Sequence, residues 1–225
     1  MGIARRSSFA ARHLDPGTRM GEILFGLIMT LTFTLGAGMV IQEEGRDGAR
    51  AMLIGILGCN LAWGIIDGVF HVLGQIFERG RLRRVGQNVR RAPSDAEALA
   101  LVAAEFDEAL EAVANEPERR GLYERIVQRL RSTPPASNAL RREDLLGGLA
   151  SGWLVFACSI PAVIPFLLLD EPRLALRISN AVLIGLLFFV GHRTARHTMA
   201  RPWLAGLVFA LAGVLLVAIA IPLGG

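Results

Sequence analysis

The polar residues best placed to do chemistry lie along the second long apolar run of the sequence. They are spaced by three or four residues: Asn60, Gly64, Asp67, His71 and Gln75. At 100° per residue, this spacing places them on one face of an α-helix. If the run spans a membrane, Asp67 is costly unless it faces a partner, a cavity or a metal ion. Asp67 therefore makes either a hydrogen bond between packed helices or, as we favour, part of an ion or proton pathway with Asn60 and His71.

A second stripe follows the first apolar run, where the relevant residues recur every four positions: Glu22, Gly26, Thr30, Thr34 and Gly38. Small and hydroxyl residues at this spacing let membrane helices approach closely and form hydrogen bonds. The glycines are best explained as a packing seam. Glu22 also fits the mouth of a cation pathway that continues past Thr30 and Thr34.

A third group of carboxylates lies between the second and third runs: Glu97, Glu105, Glu108 and Glu111. Like charges three residues apart on a helix repel each other. A divalent cation, which prefers oxygen ligands, would relieve that repulsion. These residues, together with Asp67, are therefore our candidate metal ligands. The alternative is a solvated face, or one paired with nearby arginines: Arg119, Arg120, Arg125 and Arg129.

The elements that must position these residues are α-helices. Five apolar runs, 23–41, 51–77, 145–169, 174–191 and 203–223, are close to the length that crosses a bilayer. A polar turn is expected at 42–48. We predict an all-α membrane protein with an N-terminal segment (1–20), transmembrane helices 1 and 2 (21–77), a cytoplasmic helical domain (78–144) and transmembrane helices 3 to 5 (145–223).

Within the inserted domain, two amphipathic helices are expected. Ser94 followed by Glu97 is typical of a capping box. Apolar residues at helical spacing follow it, and the pair at 116–117 is expected to end this helix. A second helix is predicted at about 118–131, followed by a break at 132–135 that contains two prolines.

The basic residues indicate how the chain is oriented. All 24 of them are arginine, and 20 lie in the segments 1–20, 78–144 and 192–202. By the positive-inside rule these segments are cytoplasmic, so the N-terminus is inside and the C-terminus outside. We expect a multi-pass protein of a bacterial inner membrane. The pI near 10.3 then reflects topology, and we expect the lipid bilayer and not nucleic acid as the partner.

Motifs for catalysis or for tightly bound cofactors are missing from the sequence. It has no nucleophile triad signature, no P-loop, no Cys/His zinc pattern and no dinucleotide fingerprint. Cys59 and Cys158 both lie inside apolar runs. We therefore predict that the protein is not an enzyme and has no tightly bound cofactor.

Two segments resemble the vacuolar iron transporter (VIT-like) family. The stretch 149–168, LASGWLVFACSIPAVIPFLL, is similar to the family's third helix, with its small-residue start and P-x-x-x-P ending. The stretch 22–27, EILFGL, is similar to the opening of its first helix. The resemblance implies five transmembrane helices, a cytosolic metal-binding insert and a homodimer. It also implies export of divalent cations, Fe²⁺ or Mn²⁺, in exchange for protons.

The leading hypothesis is therefore a divalent-metal transporter in which Glu105, Glu108 and Glu111 collect metal. The alternative is a non-transporting membrane scaffold or sensor whose insert binds a partner. Two observations motivate this alternative. The family's first helix usually has an Asp-Gly pair where this chain has the residues 28–30, Ile-Met-Thr. The charges of the insert are also able to neutralise one another.

Overall fold

The computed structural model describes residues 8–36, 38–134 and 137–220, and within these ranges the regular structure is entirely α-helical. The helices are α1 (Phe9–His13), α2 (Pro16–Gly36), α3 (Gly38–Arg91), α4 (Asp95–Leu110), α5 (Glu116–Ser132), α6 (Arg142–Ala157), α7 (Ile160–Leu168), α8 (Pro172–Thr198) and α9 (Pro202–Ala220). The prediction of an all-α fold is confirmed.

The chain divides into two compact units. The first, here called the apolar unit, comprises Met1–Val72 and Arg142–Gly225, and the second, the hairpin unit, comprises Leu73–Arg141. Among the described residues, four helical segments are long and apolar enough to cross a membrane: Pro16–Gly36, Glu43–Arg91, Arg142–Leu168 and Pro172–Arg196. The segment Pro202–Leu215 is apolar but shorter. The chain is thus a membrane protein by the length and composition of its helices.

The apolar unit has large hydrophobic side chains both in its core and on its surface. Its main core joins α2, the α6–α7 segment and α8 through six buried residues: Leu27, Leu31, Cys158, Ala162, Leu183 and Leu187. Large apolar side chains such as Phe70 and Leu167 are also mostly exposed. Apolar residues on both the inner and the outer faces are expected of helices whose solvent is lipid.

The chain breaks at two places in the apolar unit. A kink at Gly45, inside the polar turn predicted at 42–48, divides α3 into two helices, and its φ of +59° is tolerated by a residue without a Cβ atom. The third apolar run is two helices, interrupted at Cys158–Ser159. Pro161 explains the break because proline has no backbone N–H to donate to the preceding turn.

The hairpin unit packs α4 and α5 on the end of α3. Five buried residues form its core: Val89, Ala98, Val102, Tyr123 and Val127. The Ser94 hydroxyl accepts the backbone N–H of Glu97 at 3.2 Å, as the capping signal predicted. The prediction that Pro117 ends the first helix was wrong, because α4 ends at Leu110 and Pro117 lies in the first turn of α5. Proline is tolerated there because the first-turn N–H groups have no helical acceptor.

Candidate functional site

The polar stripes of α2 and α3 meet at Thr30 and Asn60, which are both fully buried. The Asn60 amide donates to the Thr30 hydroxyl at 3.2 Å and to the Ile56 carbonyl at 3.0 Å. The Thr30 hydroxyl donates to the Gly26 carbonyl at 2.7 Å. Because the polar groups of this pair satisfy one another, Thr30 and Asn60 hold the two helices in register.

Further along the same contact lie two carboxylates, Glu22 on α2 and Asp67 on α3. The Ser151 hydroxyl of α6 donates to Glu22 Oε1 at 2.5 Å. Asp67 Oδ2 is buried and has no hydrogen-bond partner, and Asp67 interacts electrostatically with Glu22. Among the described residues, neither carboxylate forms an ion pair with an arginine. Three helices therefore bring two acidic groups together, and no arginine in the described part of the chain pairs with either of them.

His71 lies one helical turn beyond Asp67 on α3. Its imidazole packs against Gly147 of α6 so closely that a Cβ atom at residue 147 would collide with His71 Nε2. The ring is half-buried. The contact places an imidazole beside the α3–α6 interface, on the helix face that also bears Asp67.

A close crossing of α3 and α6 sets the position of these groups. Gly64 packs on Gly152 and Gly68 packs on Gly148, and a Cβ atom at any of the four would approach the opposite backbone carbonyl to 2.7 Å or less. The pairing is antiparallel. Gly64, predicted as part of the polar stripe, belongs to this contact. The two G-x-x-x-G spacings, 64–68 and 148–152, are the sequence signal for it. Ser151 is a site residue that the sequence did not predict.

Thr34, the last residue predicted for the pathway, is buried, but its hydroxyl donates to the Leu31 carbonyl of its own helix at 3.0 Å. Within the described residues, Thr34 makes no hydrogen bond to either carboxylate. The neighbouring side of the α2–α3 contact has a sulfur pair, with Cys59 Sγ 3.8 Å from Met29 Sδ. The candidate site is therefore Glu22, Asp67 and Ser151, flanked by His71 and by the Thr30–Asn60 pair.

The acidic residues of the hairpin unit have different surroundings. Arg81 forms ion pairs with both Glu105 and Glu78. Asp107 accepts a hydrogen bond from the Tyr123 hydroxyl at 2.9 Å and pairs with Arg119 at 3.4 Å. Burial raises the pKa of Tyr123, and the hydrogen bond to Asp107 raises it further.

The remaining predicted ligands of this unit, Glu97, Glu108 and Glu111, are exposed. Across the described residues, no three His, Cys, Asp or Glu side chains are grouped so that they could hold a metal ion. Metal binding by this face of α4 stays a prediction. Pairing of the acidic side chains with arginines, the alternative weighed above, occurs at Glu105 and Asp107.

No protein-family model matches the chain, and no curated protein matches it.

Proposed function

We propose that the protein transports divalent metal cations, Fe²⁺ or Mn²⁺, out of the cytoplasm in exchange for protons. The observation that supports this proposal best is that two carboxylates, Glu22 and Asp67, interact electrostatically in the apolar unit while Asp67 Oδ2 is buried without a hydrogen-bond partner. Two carboxylates in a low-dielectric environment repel each other and favour either protonation or a bound cation. A site that accepts either is what an exchanger of protons and cations needs.

The charges of the site fit a divalent ion. Two carboxylates neutralise one divalent cation or two protons, so the exchange of one for the other keeps the site neutral. Oxygen ligands suit Mn²⁺. His71 lies one helical turn away and is not grouped with the two carboxylates as a third metal ligand in the described structure. Ser151 would hold Glu22 in place through its 2.5 Å hydrogen bond.

Several further features belong to this proposal. They are five membrane spans, a cytoplasmic N-terminus, a hairpin unit that faces the cytoplasm of a bacterial cell, and a homodimer. The resemblance of 22–27 and 149–168 to the VIT-like family supports them, as does the excess of arginine in 1–20, 78–144 and 192–202.

Transport into proteoliposomes with an imposed pH gradient tests the proposal, with Fe²⁺, Mn²⁺, Co²⁺ and Zn²⁺ compared side by side. We expect Asp67→Asn to slow metal transport by about tenfold, because the energy of one lost charge interaction corresponds to a factor of about ten. Asp47→Asn, which changes an exposed carboxylate of the same helix, is the matched control. Wild-type transport by Asp67→Asn would exclude the role of Asp67.

A second candidate function is a non-transporting scaffold or sensor whose hairpin unit binds a partner. The ion pairs Arg81–Glu105 and Arg119–Asp107 favour it, because they neutralise part of the acidic face without metal. Calorimetry on the purified protein separates the two functions. Binding of Fe²⁺ or Mn²⁺ that depends on Asp67 supports transport, and the absence of any binding supports the scaffold.

A further inference from the structure

A cleft of about 390 Å³ lies just after the kink of α3 at Gly45, beside the link between α7 and α8. One wall comes from a single face of α3 and the other from the end of α7 and the residues that follow it. The cleft is lined mainly by Arg46, Arg50, Leu53, Phe166, Leu169 and Asp170. It lies at the ends of the apolar segments, where a membrane helix meets the headgroup region.

The charges of this cleft are predominantly positive. Arg46 pairs with Asp170 at 2.9 Å and also donates to the Asp170 carbonyl at 3.2 Å. Arg50 has no ion-pair partner among the described residues. Two arginines and one carboxylate line the cleft, so one positive charge is left unbalanced. A single anionic group would neutralise it.

An apolar groove of about 360 Å³ adjoins the cleft, and Leu168 and Leu169 line both. The groove runs between α7 and α8 and is lined further by Pro161, Ile164, Pro165, Ile178 and Val182. From Leu168 back to Pro161 it extends about 10 Å along the helix axis. Ile164, Leu168 and Val182 are exposed, so the groove is open sideways to lipid.

The packing of α7 on α8 fixes the shape of the groove. The buried Ser179 hydroxyl of α8 donates to the Ala162 carbonyl of α7 at 2.9 Å. Pro161 and Pro165 cannot donate backbone hydrogen bonds, and their rings line the groove. The hydrogen bond holds the two helices together at the inner end of the groove, while the outer end opens into the arginine cleft.

We propose that the cleft and the groove together bind one phospholipid with an anionic headgroup. The headgroup phosphate would lie at Arg50 and Arg46, and an acyl chain would lie along Ile164 and Leu168. Charge complementarity favours an anionic over a zwitterionic headgroup, because the cleft has one unbalanced positive charge. The adjoining apolar groove favours a lipid over free phosphate. This proposal is independent of metal transport.

Native mass spectrometry of the full-length protein in detergent tests it, with phosphatidylglycerol and phosphatidylcholine offered at equal concentration. We expect phosphatidylglycerol to bind about fivefold more tightly, as one arginine near an anionic group provides. Arg50→Gln should abolish this preference and Arg50→Lys should keep it. Arg177→Gln, an exposed arginine of α8 that does not line the cleft, is the matched control.

A second experiment tests whether the apolar groove holds an acyl chain. Ile164→Trp fills the groove from an exposed position, so it should weaken binding of phosphatidylglycerol without affecting folding. The headgroup alone, as glycerophosphoglycerol, and inorganic phosphate should compete poorly. Equal binding of the two lipids by the wild type, a preference that survives Arg50→Gln, or full competition by inorganic phosphate would each overturn the proposal.

Discussion

Asp67 of the apolar unit and Glu105 of the hairpin unit are both partly buried carboxylates on long helices, yet their charged neighbours have opposite sign. Glu105 is paired with Arg81, and the adjacent Asp107 has Arg119 and Tyr123. Asp67 has Glu22 as its charged neighbour and leaves one oxygen without a hydrogen bond.

The comparison shows that a local abundance of acidic residues does not by itself identify a binding site. The hairpin unit has many acidic side chains, but its arginines balance several of them, and an ion pair already made must be broken before a cation can bind. In the apolar unit, no arginine of the described chain pairs with Glu22 or Asp67, so the charges of these two carboxylates stay unbalanced. Unbalanced charge in a low-dielectric environment is the stronger indication of function.

The largest expected effect tests the crossing that holds Asp67 in place. Gly152→Leu inserts a side chain where a Cβ atom already collides with the Gly64 carbonyl. We expect destabilisation of about 3 kcal/mol, at the upper end of overpacking effects, and loss of transport. The measurement is thermal unfolding in detergent. Gly58→Leu is the control, because a Cβ atom there meets nothing within 4 Å. Equal melting temperatures of the two variants would contradict a tight α3–α6 contact.

Neutralising one carboxylate in each unit should change the thermal stability of the protein in opposite directions. Asp67→Asn removes a charge that interacts with Glu22 and should stabilise the protein by about 2.5 kcal/mol, the lower end of the cost of a charge inside a membrane helix. Glu105→Gln leaves Arg81 with one carboxylate fewer and should slightly lower the melting temperature. Both are measured by thermal unfolding in detergent without metal. If Asp67→Asn is destabilising, Asp67 has a stabilising partner and the comparison between the units fails.

The smallest expected effect concerns Asp15, a carboxylate of the apolar unit that accepts hydrogen bonds. Hydrogen bonds from the Thr18 hydroxyl at 2.5 Å and from the Thr18 N–H at 3.0 Å lower its pKa. A lowered folded-state pKa stabilises the protein above the ordinary value of 3.8, and this stabilisation disappears as the pH falls below it. Asp15→Ala should therefore cost about 1 kcal/mol at pH 7, as loss of a helix cap does.

The measurement for Asp15 is the difference in melting temperature between wild type and Asp15→Ala as a function of pH. The difference should shrink on acidification through the range below 3.8. A difference that does not change with pH would show that the carboxylate charge has no part in it. Asp47→Ala, an exposed acidic residue of α3, controls for a general change in net charge.

Sequence patterns predicted helices and the start of a helix well, because these features depend on residues that are close together in the chain. The apolar runs predicted the helices of the apolar unit, and Ser94 with Glu97 predicted where α4 begins. Predictions were less reliable where one residue type is compatible with two different local structures. Pro117 was predicted to end a helix but lies in the first turn of the next one, because proline is compatible with both positions.

The sequence by itself determined that the chain is helical, that its helices are apolar enough for a membrane, and that Glu22 and Asp67 lie on polar helix faces. Helical periodicity and hydropathy depend on neighbouring residues, so they can be obtained from one chain. Only the tertiary structure decided that Glu22 meets Ser151, which is 129 residues away, and that Glu105 meets Arg81. Contacts of this kind depend on how helices pack, and packing depends on side-chain shape across the interface, such as the glycines of α3 and α6.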